Sequence, residues 1–511
     1  MRSNTSVNGD ADDEKLLTDL GYKQELKRVM GFISSFCLQF TIVAVCAGLA
    51  LTFNTGFAAV GPRVLPAWVL GGSLQVIVAL GVAVGVSAFP LAGGPYQIIG
   101  RLGFPRLGWV MGLALVLGLI GNAAGEAVGL APDYANYFGV TLNSHWSVLL
   151  GAAILIFVCM LLCLAGVRIA AFVNNGAVFA EGVAVLILVV GLAISWASGH
   201  GHFHNVGFIF STGGIVKPGA STFLPFLSAL LVPIFVVSQF FANGSAGEET
   251  RHASRTVPRA LWTSAVVSLV VGVVVLFLAV LAVRNVSGTA ASTEPLTYIL
   301  RPDVGDFLAR TFGVLAELAL TVNLALCLLV AARLLWAYGR NDEMPASHWV
   351  GKINREGVPI NATVAVCVVA LLFCIWSSLL NVLIAIAAVF GAFPLAVLIA
   401  VVWWARSRGT LPRRAFDLGR FWTAPVMLVG IIWSLALCGF LIYLTPKSVG
   451  LGSLIAVVIL YALLWLVSRN HSISAEATGL AAAEHGTTAI PADATSRELT
   501  SQANAEPETA G

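Results

Sequence analysis

Apolar residues recur in unbroken runs between residues 29 and 470, and polar residues gather between the runs rather than within them. Twelve runs are of a length that predicts membrane-spanning helices: 29–54, 67–88, 107–131, 146–165, 171–197, 222–243, 258–283, 308–337, 359–378, 380–404, 424–445 and 450–468. About 20 apolar residues in helical form cross the roughly 30 Å hydrocarbon core. Two of the runs lose their pattern at matching places. In the first run, Ile42-Val43-Ala44-Val45-Cys46-Ala47-Gly48-Leu49 puts small residues where a plain membrane helix carries Leu and Ile. In the sixth, small and polar residues crowd positions 238–250. Paired interrupted segments, one per half, point to a substrate site in an inverted-repeat transporter. Free backbone groups at membrane depth persist only where protein or a cavity covers them.

Placing the interruptions at the first span of each half divides the chain into repeats of five spans, 29–197 and 222–404. Spans 11 and 12 (424–468) lie outside the repeat. Residues 15–28 set Leu16, Leu17, Leu20 and Leu26 among Lys15, Lys23, Lys27 and Arg28, a short amphipathic segment for the inner leaflet. It belongs to a tail over 1–28. The polar stretch 471–511 lacks hydrophobic periodicity and is expected to be a disordered tail. In the loop over 284–307, Pro295, Leu296, Tyr298, Ile299 and Leu300 predict a short helix capping the outer vestibule.

Composition sharpens this picture. The chain of 511 residues is 58% hydrophobic and only 10% charged. Its mean hydropathy is +0.90. No ordinary soluble domain is so poor in charge. With both termini on the cytoplasmic side, 22 of the 28 Lys and Arg residues fall on inner segments and 6 on outer loops. That asymmetry predicts both ends inside, at the cell (plasma) membrane. The net charge of +3 follows from topology and implies no nucleic-acid partner. All eight cysteines fall in apolar spans, without a disulfide or zinc spacing. His200, His202 and His204 alternate in an outer loop and read as solvated side chains rather than metal ligands. No HExxH, no Ser/His/Asp arrangement, no close acid pair and no phosphate-binding loop is present. The chain is therefore not expected to be an enzyme or to hold a cofactor.

Candidate chemistry gathers at the interruptions. A broken helix exposes N–H groups on one side of the gap and carbonyls on the other. The first end suits a carboxylate and the second an ammonium group. Val45, Cys46, Ala47, Gly48 and Leu49 from the first interruption are candidate substrate contacts. Ser238, Gln239, Phe240, Asn243 and Gly244 come from the second. Gly48 has two readings, backbone freedom or close helix packing. In span 3, Asn122 and Glu126 are four apart and share a helix face. An acid within a membrane helix is costly and by default functional. Glu126 is read as facing an ammonium group, with a vestibule surface acid as the alternative. Glu181 in span 5 and Glu317 in span 8 are candidate proton carriers, against structural roles for each.

These residues carry a resemblance. Leu20-Gly21-Tyr22-Lys23-Gln24-Glu25-Leu26-Lys27-Arg28 resembles the leading segment of the amino acid/choline branch of the amino acid–polyamine–organocation (APC) permeases. Ser87-Ala88-Phe89-Pro90-Leu91-Ala92-Gly93-Gly94-Pro95-Tyr96 is similar to that superfamily's turn after span 2. Gly247-Glu248-Glu249-Thr250 with Ala253-Ser254-Arg255-Thr256-Val257-Pro258-Arg259-Ala260 resembles its signature after span 6. Arg333, Ala337, Arg340, Asp342 and Pro345, then Val358-Pro359-Ile360-Asn361-Ala362, resemble the end of span 8 and the start of span 9. Five such segments in order, over roughly 20–470, are specific together. Two departures stand out. Phe241 holds a position where many members of this branch carry Asp, and Gln239 replaces a Gly.

The resemblance implies an all-α integral membrane protein of LeuT type: a 5+5 inverted repeat, twelve transmembrane helices, and helices 1 and 6 broken around the substrate. It implies a secondary permease for an amino acid or related amine, with proton-coupled symport expected. An amino acid/amine exchanger, a choline or polyamine permease and a non-transporting nutrient receptor are the alternatives. Ile120-Gly121-Asn122 resembles the arginine/agmatine exchangers, where the Asn faces substrate. Glu181 falls where some proton-coupled relatives carry a Lys beside the break. The LeuT-type sodium site uses hydroxyls late in span 8. Leu329-Val330-Ala331-Ala332-Arg333 has none there, so a proton is the expected partner ion, beside the solute and membrane lipid.

Overall fold

The computed structural model describes residue 28, residues 30–91, 93–199, 201–238, 244, 247–344, 346–354, 357–375, 380–412 and 415–444, and five positions between 459 and 466. Apart from Arg28, the amphipathic segment and both tails lie outside these residues, as does most of the twelfth span. So do Gln239, Phe240 and Asn243.

The described chain is helical throughout, with no strand among the described residues. In chain order the helices are α1 (Phe32–Val43), α2 (Val45–Val60), α3 (Val64–Ala88), α4 (Pro95–Arg101), α5 (Pro105–Tyr137), α6 (His145–Leu164), α7 (Val167–Ala197), α8 (Phe223–Ala229), α9 (Leu231–Val236), α10 (Ala253–Leu281), α11 (Val286–Ala291), α12 (Pro295–Val304), α13 (Asp306–Arg340), α14 (Ser347–Val350), α15 (Ile360–Ile375), α16 (Leu380–Ser407) and α17 (Gly419–Leu444). Among the described residues, eight helical stretches are long and apolar enough to cross a bilayer. One of them, Phe32–Ala88, contains α1, α2 and α3. Shorter apolar stretches run over Phe223–Val236 and Ile360–Ile375.

Long apolar helices bury their backbone polar groups internally, which is what hydrocarbon requires. Their side chains then sort by neighbour rather than by water. On α7, Phe172 is 78% exposed and Phe179, on the same face, is 75% exposed, yet Glu181 on the opposite face is 1% exposed. An outward apolar face around an inward polar one marks a membrane protein's surface.

The core is built where small residues let helices close in. α3 and α10 form the most extensive contact. The Trp68 indole N–H donates to the Leu269 carbonyl at 3.0 Å, and its ring lies over Gly272, where a β-carbon would overlap it. α13 packs against α5, α6, α7 and α15, so it forms a central strut. Cys159 and Cys163 of α6 face it, and their thiols donate to the carbonyls of Thr321 at 3.6 Å and Ala325 at 3.3 Å. All eight cysteines are free thiols.

The first membrane helix stops and restarts within one residue. Ala44 adopts φ 44° and ψ 63°, left-handed geometry that separates α1 from α2. Its N–H still reaches the Phe40 carbonyl at 2.9 Å, and its own carbonyl accepts from Gly48 N–H at 2.6 Å. The chain turns at Ala44, and Gly48 lies inside α2. A β-carbon on Gly48 would meet Val236 of α9 at 2.9 Å, so Gly48 serves close packing.

Candidate functional site

Both ends of the break are held by side chains from other helices. On the N–H side, Glu181 Oε1 accepts from Cys46 N–H at 2.8 Å. On the carbonyl side, Asn323 Nδ2 donates to the Ile42 carbonyl at 3.2 Å. A buried backbone group without a partner costs on the order of 1–3 kcal/mol. Glu181 and Asn323 remove that cost at the two positions where the helix itself cannot.

Asn323 continues into a polar chain. The Cys327 thiol donates to Asn323 Oδ1 at 3.3 Å, and Asn122 Nδ2 lies 3.6 Å from the Cys327 sulfur. The same Asn122 amide donates to Glu126 Oε1 at 2.8 Å. Thus Asn122 and Glu126, four residues apart on α5, connect through α13 to the carbonyl end of the break. Glu126 is 2% exposed. Among the described residues neither Glu126 Oε2 nor Glu181 Oε2 has a hydrogen-bond partner.

Above this chain lies a cavity of about 80 Å³. Ala47, Ala50 and Leu51 of α2 form one wall. Leu130 and Asp133 come from α5, Gly313, Ala316, Glu317 and Leu320 from α13, and Thr293, Glu294, Leu296 and Thr297 from the loop and α12. Glu317 accepts from the Tyr137 hydroxyl at 3.0 Å, and Tyr134 shares a 2.7 Å hydrogen bond with Thr321. Asp133, Glu294 and Glu317 give this mouth a negative character.

The opposite end, below α1, carries a bolt of backbone hydrogen bonds and ion pairs. Met30 N–H donates to the Glu249 carbonyl at 3.0 Å, and Arg251 N–H donates to the Met30 carbonyl at 2.9 Å. Arg333 of α13 pairs with Glu249 at 3.0 Å, and Arg340 pairs with Glu248 at 3.1 Å. The Arg340 guanidinium also lies 4.6 Å over the Trp336 ring. Beside this bolt, Tyr96 stacks on Tyr338 with ring centres 4.3 Å apart, and Asn341 bonds the Tyr96 hydroxyl. Glu343, past the end of α13, is 2% exposed with Tyr96 facing its carboxyl, and burial pushes it up to about 7.

The candidate residues therefore divide. Val45, Cys46, Ala47, Gly48 and Leu49 are buried in the first turns of α2, and of these Ala47 lines the cavity. Glu181 touches the break directly, while Asn122 and Glu126 reach it through Cys327 and Asn323. Glu317 lines the mouth. Ser238 donates to the Phe235 carbonyl at 2.8 Å, closing the end of α9. Gly244 sits against Val86 of α3, at 3.3 Å from an added β-carbon. Asn323 was absent from the sequence-based set. Its signal was an amide four residues before Cys327 in an otherwise apolar run. His204 Nε2 lies 2.9 Å from the Val283 carbonyl, and its ring stacks on Phe208. Among the described residues no group of three His, Cys, Asp or Glu is placed to hold a metal.

A family model described as "Amino acid permease" matches residues 30–465. The chain belongs to the amino acid permease family. This permease is 25% identical over 445 residues to an uncharacterized amino-acid permease of Schizosaccharomyces pombe, covering 82% of this chain and 78% of the relative. It is 26% identical over 507 residues to the amino-acid permease BAT1 of Arabidopsis thaliana, covering 89% and 94%. It is 23% identical over 446 residues to the GABA-specific permease of Saccharomyces cerevisiae, covering 83% and 77%. The family and these relatives are transporters, not enzymes. The permease is an integral membrane protein with an amino acid as its class of solute.

Proposed function

We propose that this permease accumulates an amino acid or related amine across the plasma membrane by proton symport, with Glu181 as the proton-linked group. The observation that carries the reading is the 2.8 Å contact from Cys46 N–H to Glu181 Oε1. A buried acid on the open end of a broken helix joins two properties in one place: its charge is felt by the helix end, and its proton can be exchanged. The fold proposed for it is the LeuT-type 5+5 repeat of twelve helices, with both termini cytoplasmic. In that orientation the bolted end, with Glu248, Glu249, Arg333 and Arg340, faces the cytoplasm, and the acidic mouth faces outward. The solute enters past Asp133, Glu294 and Glu317 and settles against the break, with Asn122 and Glu126 on the side of its ammonium group. The bolt at Met30, Glu248 and Glu249 then opens to release it. A GABA-specific relative agrees with a small amino-bearing solute.

The test is Glu181→Gln in proteoliposomes. Accumulation driven by an inward pH gradient should vanish, while counterflow exchange of labelled for unlabelled amino acid continues. Unchanged pH-driven accumulation in the well-folded variant would remove Glu181 from coupling.

A further inference from the structure

An amino acid brings a carboxylate of its own to the break, and the N–H end already carries one. The positive end of α2, a helix of 16 residues, begins at Val45. Glu181 Oε1 holds Cys46 N–H at 2.8 Å, while Oε2 of the same carboxyl, on a residue 1% exposed, has no hydrogen-bond partner among the described residues. The cavity at the mouth reaches this first turn at Ala47, the next residue along.

We infer that Glu181 is a built-in competitor for the substrate's carboxylate: protonation of Glu181 frees Cys46 N–H, and the α-carboxylate of the amino acid takes its place. This inference rests on the permease reading and adds to it the chemistry that joins proton to solute. Two carboxylates at one buried helix end repel each other, and among the described residues no cation is placed beside Glu181 to offset the second. α1, α2, α6, α10, α12 and α13 pack against α7. Among the described residues, the titratable group they bring to the Glu181 carboxyl is the Cys46 thiol. Asp303, from the end of α12, meets α7 at Ser195, fourteen residues further along and about 21 Å away by helical rise. With the proton on Glu181, the end of α2 again faces one negative charge, now the substrate's. The proton comes from the outer solution and leaves with the carboxylate on the other side. Asn323 holds the carbonyl end meanwhile, so the break stays satisfied on that side.

An amine without a carboxylate escapes this linkage, so the proton-driven solute is narrowed to one that bears a carboxylate. Proton-dependent binding thus becomes a property of the substrate's carboxylate as well as of the protein. The test uses the purified full chain in detergent and measures apparent Kd from pH 5.5 to 8.5. The probes are the common L-amino acids and the amines left when their α-carboxylates are removed. Above the titration of Glu181, the Kd of a bound amino acid should rise about tenfold per pH unit, and that of its matched amine should stay flat. In both Glu181→Gln and Glu181→Ala the amino acid's profile should become flat, and the alanine variant, which frees the N–H outright, should bind it more tightly at pH 8. The alanine variant removes a buried acid and the glutamine variant keeps its shape, so one of the two remains informative if the other folds poorly. Equal pH slopes for amino acid and amine, or a slope that survives both substitutions, would overturn the inference and leave the permease reading standing. Failure of every probe to bind the wild-type chain would overturn both.

Discussion

Ala44 carries a left-handed backbone that costs a non-glycine residue about 1–2 kcal/mol. The geometry persists because Glu181 and Asn323 reward it, each by satisfying a backbone group the break sets free. Glu343 shows the reverse case, a residue whose burial is a cost the fold carries. Its carboxyl titrates near 7 rather than at 4.5 because burial disfavours the charged form. Below about pH 4.5 the folded and unfolded chains are both protonated there and nothing is lost. Through pH 7 the unfolded chain ionises first, so this residue's contribution to stability falls as pH rises, by roughly 3 kcal/mol at full effect. Glu343→Gln should therefore match wild type in thermal unfolding at pH 5 and exceed it at pH 8. An identical melting difference at both pH values would mean the charge is not the cause. The neighbourhood of the break was readable in the sequence because small residues and isolated acids stand out against apolar helix. Which residue turns was not readable. Gly48 had the local freedom, yet tertiary hydrogen bonds to neighbours 135 and 281 residues away placed the turn at Ala44.

At the scale of elements, hydrophobic run length located the eight long apolar stretches among the described residues and underestimated several ends. α5 extends to Tyr137 and α13 to Arg340 because their last turns are polar and find partners. Tyr137 bonds Glu317, and Arg340 pairs with Glu248. An apolarity criterion stops before such residues. Described parts of the segments that carried the family resemblance meet at one end: the Ser87 hydroxyl donates to the Ser254 carbonyl, Glu248 and Glu249 follow the sixth span, and their Arg340 and Arg333 partners close the eighth. The α3–α10 seam was invisible to periodicity, since both helices are apolar on every face. It depends on Gly272 beneath Trp68. Gly272→Val should separate the two helices and cost about 1–3 kcal/mol, the usual penalty of overpacking, read as a lower melting temperature and reduced yield. Gly176→Ala on α7, where an added β-carbon meets nothing, should leave both unchanged. Equal tolerance of the two substitutions would show that the seam is looser than described.

The whole molecule joins a base tied by ion pairs, an acidic mouth and a broken helix between them. Its orientation rests on the excess of Lys and Arg on one side. Asn205 and Thr410 are both exposed, and the native thiols are buried or half-buried. In intact cells an impermeant thiol reagent should label Asn205→Cys and spare Thr410→Cys, and the opposite pattern would invert the molecule. The central claim is that the broken helix moves an amino acid with a proton, and labelled uptake into proteoliposomes holding the purified chain tests it most directly. With the same amino acid on both sides and no voltage, an inward pH gradient should drive accumulation above equilibrium, and collapsing the gradient with a protonophore should return it to equilibrium. Uptake that reaches the same level with and without the gradient would contradict the account.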